Sequence, residues 1–421
     1  MSEPAPGPDG RRRPWSAGID GRTFVACRNY EEDVFAYYYL FQSMFLMTQK
    51  SRISGPATRA DRGPGGAKSS LRSLIFRVLL SNTMSPVLPT NLLNTITSHA
   101  GPINALTFSA IGGTYILTGS SDRQIHLSRT EPVSSTTVKG GPAPTTSTPI
   151  QKYSAHGYAV LDLACSSDNT TFASVGGDRS VFLWDVQAAT TLRRFGNNSS
   201  QGHTARINCV AFAGQDDSVL ISGSLDRSVR IWDVKSRNAN PIMVLDEAKD
   251  SVSSTVVPRT GYEIVTASVD NRVRSYDLRM GQCFVDTLPA PVTSVEVTRD
   301  GQAVLVSALD GRIRLLDRRD GTLLQSFGGI KDGYVNQDLR LKACFGSGEA
   351  LVLAGSEADG KIRAWDVVSG DKTAELEAGE GGRVVSVVAW RDNGKGAAGD
   401  GVWASGGADG KVKIWGRGLK P

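Results

Sequence analysis

"SGSLDRSVRIWD" (residues 222–233) holds the decisive pattern: small residues, an Asp at 226, two polar residues, then a short run closed by Trp232-Asp233. Gly, Ser and Asp ahead of the run make a tight turn, and Val-Arg-Ile-Trp alternates as a strand does. Six other segments share the pattern: "TGSSDRQIHLS" (118–128), "SVGGDRSVFLWD" (174–185), "TASVDNRVRSYD" (266–277), "SALDGRIRLLD" (307–317), "GSEADGKIRAWD" (355–366) and "SGGADGKVKIWG" (405–416). The turn Asp falls at 122, 178, 226, 270, 310, 359 and 409, at intervals of 40 to 56 residues. Each interval has room for further strands, such as "RINCVAFAG" and "SVLISGS" before the third-copy strand, and no stretch sustains an 18-residue helical pattern.

Seven copies across residues 90–421 leave about 47 residues each, close to the period of a four-stranded propeller blade. The expected fold is therefore all-β, a seven-bladed β-propeller over 84–418. "TNLLNTIT" (90–97) is one strand long and precedes the first copy. It should supply the outer strand of the last blade, closing the ring and leaving no open edge.

The third copy, with Gly202-His203 ahead of it, resembles the WD-repeat (WD40) family. That resemblance implies buried tetrads of His203, Ser222, Asp226 and Trp232, and of His156, Ser174, Asp178 and Trp184 in the second copy. The turn Asp would orient the His, the Ser would bridge, and the indole N–H would find its partner there. The first copy keeps His99, Thr118 and Asp122 but has Ser128 where Asp closes the strand; the fourth to seventh lack the His.

Two segments fall outside the repeat. Residues 1–83 read as a disordered extension, with "PAPGPDGRRRP" and "SGPATRADRGPGGAKSS" flanking an aromatic run. We read it as an over-extended gene model, the native chain starting at Met84. The Ser/Thr/Pro/Gly-rich stretch 129–150 reads as a flexible loop between the third and outer strands of blade one. Thr148-Pro149 within it has the form of a proline-directed phosphosite, although an unmodified loop is the simpler reading.

Charge divides at the same boundary. Residues 1–89 carry 12 of the 47 basic and 7 of the 42 acidic side chains, which leaves 35 of each in the body. Balanced charge argues against a general nucleic-acid surface and hence against direct RNA contact. The five Cys are scattered without CxxC spacing, which excludes a disulfide framework or zinc site and favours a reducing compartment. Val34–Met47, the longest apolar run, is about 14 residues and too short to span a bilayer, so no membrane association is expected.

Catalytic groups are not in evidence. Of four His, three have structural places in the repeat, and His126 reads as a packed or solvent-facing strand residue. GxSxG, HExxH and GxxxxGK[ST] motifs are missing, so neither an enzyme nor a cofactor or metal site is expected. Each turn Asp is followed within two residues by a cation: Arg123, Arg179, Arg227, Arg272, Arg312, Lys361 or Lys411. These could ring one face for a partner or phosphate, although Arg and Lys at strand starts are ordinary in such repeats and pair with neighbouring Asp without any function.

A narrower resemblance lies in "SAHGYAVLDLACSSDNTTFASVGGDRSVFLWDV" (154–186), "LDEAKDSVSSTVV" (245–257), "SVDNRVRSYDLRMGQCFVD" (268–286) and "TRDGQAVLVSALDGRIRLLD" (298–317). These are similar to the mitogen-activated protein kinase organizer, or WD-repeat domain 83, family across roughly 92–415. Departures are residues 1–83, the loop 130–149, and "GIKDGYVNQDLRLKACF" (329–345), which lacks the Gly-His before blade six. The resemblance implies a non-catalytic scaffold in the extracellular-signal-regulated kinase (ERK) cascade and in the spliceosome during pre-mRNA splicing. It would be cytoplasmic and nuclear, monomeric within larger protein complexes. Partner contacts are expected at Tyr158, Arg206, Glu247, Lys249 and Asp250. The alternatives are an RNA-binding splicing component and a cullin-4 ubiquitin-ligase substrate receptor, for which "YDLR" (Tyr276–Arg279) supplies the motif and Arg279 the contact; a solvated turn Arg is the simpler reading of that residue.

Overall fold

The computed structural model describes residues 16–19, 22–25, 87–110, 112–130, 148–197, 200–391 and 401–417. The chain divides into two units, 1–52 and 53–421. In the first, Ser16–Ile19 pairs antiparallel with Arg22–Val25. The sequence reading expects no element there, yet Asp20-Gly21, a dipeptide suited to two-residue hairpin loops, separates the two strands. The rest of the disordered reading of 1–83, the Met84 start and the run Val34–Met47 lie outside the described residues, as does most of 129–150. No helix among the described residues is long and apolar enough to cross a membrane.

The second unit is a seven-bladed all-β propeller of four-stranded antiparallel sheets. In six blades the strands follow chain order from the inside out. Blade three, for example, runs Ile207–Ala213, Val219–Ser224, Val229–Asp233 and Met243–Leu245. The seventh is completed from the far end of the sequence. Asn91–Ile96 pairs with Val412–Gly416, Ile96 opposite Val412, and becomes the outer strand of that blade. Just ahead of it, the carbonyl of Pro89 accepts the indole N–H of buried Trp403 at 2.9 Å.

Each sheet is covered on both faces by its neighbours, so its central strands are buried almost continuously; Ala303–Ala308 is buried at every residue. Cores form between blades rather than within them. Leu117, Ile125 and Tyr153 of blade one pack with Phe172, Phe182 and Trp184 of blade two, and Leu93, Ile96 and Ile414 of blade seven with Ile103 and Ile116 of blade one. Cys209 and Cys344 are buried free thiols, and burial pushes Cys209 up to about 12.

Candidate functional site

Within a blade the strands alternate in direction. The turn between second and third strands therefore lies on the same side as the loop entering the innermost strand. All seven Asp turns lie on this side, the turn face; the turns after the third strands lie on the opposite face.

In blade two, Trp184 Nε1–H donates to Ser174 Oγ at 2.7 Å, and Ser174 Oγ lies 2.7 Å from His156 Nε2. His156 Nδ1 lies 2.5 Å from Asp178 Oδ2. Blade three repeats the chain, with 2.8 Å from Trp232 to Ser222, 2.8 Å from Ser222 to His203 and 2.9 Å from His203 to Asp226. A carboxylate only accepts, so Nδ1 carries a proton, while the Ser hydroxyl accepts the indole N–H and bridges it to Nε2. Burial lowers His203 further than the Asp226 bond raises it. Burial would raise Asp226, but bonds from His203, Ser228 and the Thr204 N–H hold it well below the ordinary carboxylate range.

Blade one requires a correction. His99 meets Thr118 at 2.8 Å and Asp122 at 2.9 Å. Ser128, however, faces Ile116 as Trp232 faces Leu220, so it replaces the Trp, and Arg129 replaces the closing Asp. The reading of Ser128 at the Asp position is one residue out of register. His126, buried on the same strand, stacks on His99 with ring centroids 3.9 Å apart.

In blades four to six an Arg placed four residues after the turn Asp pairs with it. Arg274 Nη2 lies 2.6 Å from Asp270, Arg314 2.5 Å from Asp310 and Arg363 2.5 Å from Asp359. Glu247 stands 23 residues before Asp270, as His203 stands before Asp226, and its Oε2 accepts the Tyr276 hydroxyl at 3.1 Å. Blade four is thus a rebuilt network rather than a decayed one. The Asp-x-x-x-Arg spacing was present in the sequence as a signal.

The loop entering blade six, which departs from the repeat, reaches across the ring. Lys342 Nζ lies 2.5 Å from Asp162 Oδ1 on the innermost strand of blade two, and Arg340 donates to the Asn208 carbonyl of blade three at 2.7 Å. Leu341 between them is fully buried, and the Lys342 N–H donates to Ser386 O of blade seven. This strap ties blade six to blades two, three and seven, and the sequence reading missed it.

The WD domain, G-beta repeat family model matches residues 90–127, 147–185 and 196–233, the three copies that keep a His. WD repeat domain-containing protein 83 of Rattus norvegicus is 40% identical over 295 residues, 70% of this chain and 85% of that protein. The Homo sapiens protein of the same name is 40% identical over 296 residues with the same shares. The Dictyostelium discoideum homolog is 28% identical over 311 residues, 67% of this chain and 86% of that protein. The chain belongs to the WD repeat domain-containing protein 83 family. Members of this WD40 propeller class are scaffold-type proteins, generally non-catalytic, and mediate protein–protein interactions.

In this WD repeat domain-containing protein 83 family member, Tyr158, Arg206, Glu247, Lys249 and Asp250 all lie in loops of the turn face on three consecutive blades, and all are exposed. Three are already engaged: Glu247 by Tyr276, Lys249 through its N–H to Asp270 at 2.9 Å, and Asp250 by the Ser251 N–H at 2.6 Å. Arg279 lies on the opposite face, its guanidinium 4.7 Å from the Tyr262 ring centroid and 3.8 Å from Asp277. The structure therefore separates Arg279 from the other candidates. The seven cations after the turn Asp do not form a uniform ring either. Lys361 bonds Glu375 at 2.7 Å and Lys411 bonds Glu380 at 2.5 Å. A cavity of about 250 Å³ opens on the opposite face between Arg259, Arg299, Phe345 and Trp390, and none of the sequence candidates lines it.

Proposed function

We propose that this chain is a non-catalytic scaffold that assembles ERK-cascade proteins and spliceosome components, in the cytoplasm and the nucleus. The observation that supports a scaffold is the closed ring, braced across its centre, which holds loops of consecutive blades in fixed relation on one face. Tethering partners on such a body raises their effective concentration without new chemistry. The cascade and splicing assignments rest on the family resemblance. Affinity purification of the full chain at native level, read by mass spectrometry, tests both. Kinase-cascade and splicing proteins should co-purify. Cullin-4 adaptor subunits lost on Arg279→Ala would replace this reading with the ubiquitin-ligase one, and salt-sensitive binding of RNA by the isolated protein would favour the RNA-binding one.

A further inference from the structure

We propose that the turn face of blades one to three docks an acidic segment of a partner protein; this rests on the scaffold reading and specifies its chemistry. The turns and entering loops of these blades carry three carboxylates, and the fold withdraws all three. Asp122 is bound by His99, Asp178 by His156, and Asp226 by His203 and Arg230, with side chains only 13%, 8% and 7% exposed. Four arginines remain. Arg123, Arg179 and Arg227 follow the turn Asp, and Arg206 lies in the loop entering blade three. All four are exposed, and none has a side-chain hydrogen bond or ion pair among the described residues. Four cations that no carboxylate among the described residues pairs with make a positive sector within an otherwise balanced body.

Backbone conformation gives a second reason. Arg123, Arg179 and Arg227 have φ of 72°, 57° and 67°. The same position is Asn271 in blade four and Gly311, Gly360 and Gly410 in blades five to seven. A left-handed turn is unfavourable for a residue with a Cβ and easy for Gly. Folding alone would place Gly there, yet three adjacent blades keep a long cation. Ala189 at φ 54° and Glu349 at φ 73° also keep a Cβ in this region, so what sets the three turns apart is that each keeps a cation there.

The sector also has apolar anchors and a boundary. Tyr158 is 64% exposed with its base against Gly177, and Leu225 beside Asp226 is 42% exposed. The next loop, entering blade four, brings Asp246, Glu247 and Asp250 against one cation, Lys249, and its net negative charge would repel an acidic segment. The complement is therefore a protein segment in which carboxylates alternate with apolar side chains, lying over blades one to three. Exposed ion pairs are individually weak and screened by salt, so binding should be steepest at low ionic strength.

The full chain is titrated with a fluorescein-labelled peptide of alternating Glu and Leu, with its Gln-Leu counterpart and with a single-stranded RNA of equal charge. The Glu-Leu peptide should bind, more weakly as salt rises. The triple variant Arg123→Gly, Arg179→Gly, Arg227→Gly should lose about tenfold or more in affinity. Its melting temperature should be unchanged or higher, because Gly suits the turn. Arg206→Gln, outside the turns, should give a smaller loss and serves if the triple variant misfolds. Equal binding of the Gln-Leu peptide, undiminished binding by folded variants, or capture of RNA without the peptide would overturn the proposal. In cells, a full partner set on the triple variant would overturn this site and leave the scaffold reading standing. No partners on the wild-type chain would overturn the scaffold reading itself, while the peptide titration still decides the site.

Discussion

His126 illustrates what one residue contributes. Its ring nitrogens lie 2.8 Å from Ser98 Oγ and 3.0 Å from Gln124 Oε1, and its face lies on His99. Burial, then the His99 and Lys152 charges, push it down to about 4 from an ordinary 6.5, with Asp122 opposing weakly. Burial also lowers His99, outweighing its bond to Asp122. Between those values the unfolded chain binds a proton that the folded chain does not. Stability is therefore full above pH 6.5 and falls on acidification. About 2 kcal/mol should be lost from His126 by about pH 5. Thermal melts at neutral and mildly acid pH check this: His126→Gln should drop less than wild type, and an equal drop would remove the assignment. A strand His was visible in the sequence, but its stacking on another His was not. That depends on the entering loop lying against the third strand.

At the scale of the element, the turn between second and third strands is the unit that repeats most faithfully. In blade six the residue after the Asp is Gly360 at φ +66°, and a Cβ there would sit 2.8 Å from the Arg383 carbonyl. Gly360→Ala combines a backbone penalty with a clash and should cost about 2 kcal/mol by chemical denaturation. A loss below a few tenths would show that the neighbouring loop yields freely. Strands and turns were legible because alternation and Asp-Gly chemistry are local. The substitute networks were only partly legible. Arg274 sits four residues from Asp270 and could be read from spacing, whereas Glu247 reaches Tyr276 across 29 residues. Its place in the loop entering blade four made it read as a contact residue, and only the folded register assigns it to the blade.

At the scale of the whole ring, two of its long connections differ in how far the sequence shows them. The first, Asn91–Ile96 on Val412–Gly416, was legible because a spare strand stood ahead of the first repeat. The second, the Lys342–Asp162 pair, joins residues 180 apart and was not. Lys342→Met would leave the buried Asp162 carboxylate with the Val210 N–H at 3.2 Å and no cation, which should cost about 3 kcal/mol. Adding Asp162→Asn should recover much of that loss in a double-mutant cycle followed by urea unfolding. Purely additive losses would show that the strap does not couple blades six and two.

Residue alternation, turn chemistry and repeat spacing by themselves determined the all-β class, the number of blades and the closing strand, while the family entered through the resemblance of a few local segments. Each is carried by neighbours along the chain or by a regular interval. Only the tertiary structure decided that Arg279 lies opposite the other candidates, that the blade-six loop crosses the ring, and that Arg123, Arg179, Arg206 and Arg227 make no ion pair among the described residues. These follow from side chains tens to hundreds of residues apart meeting, or failing to meet, once the ring has closed.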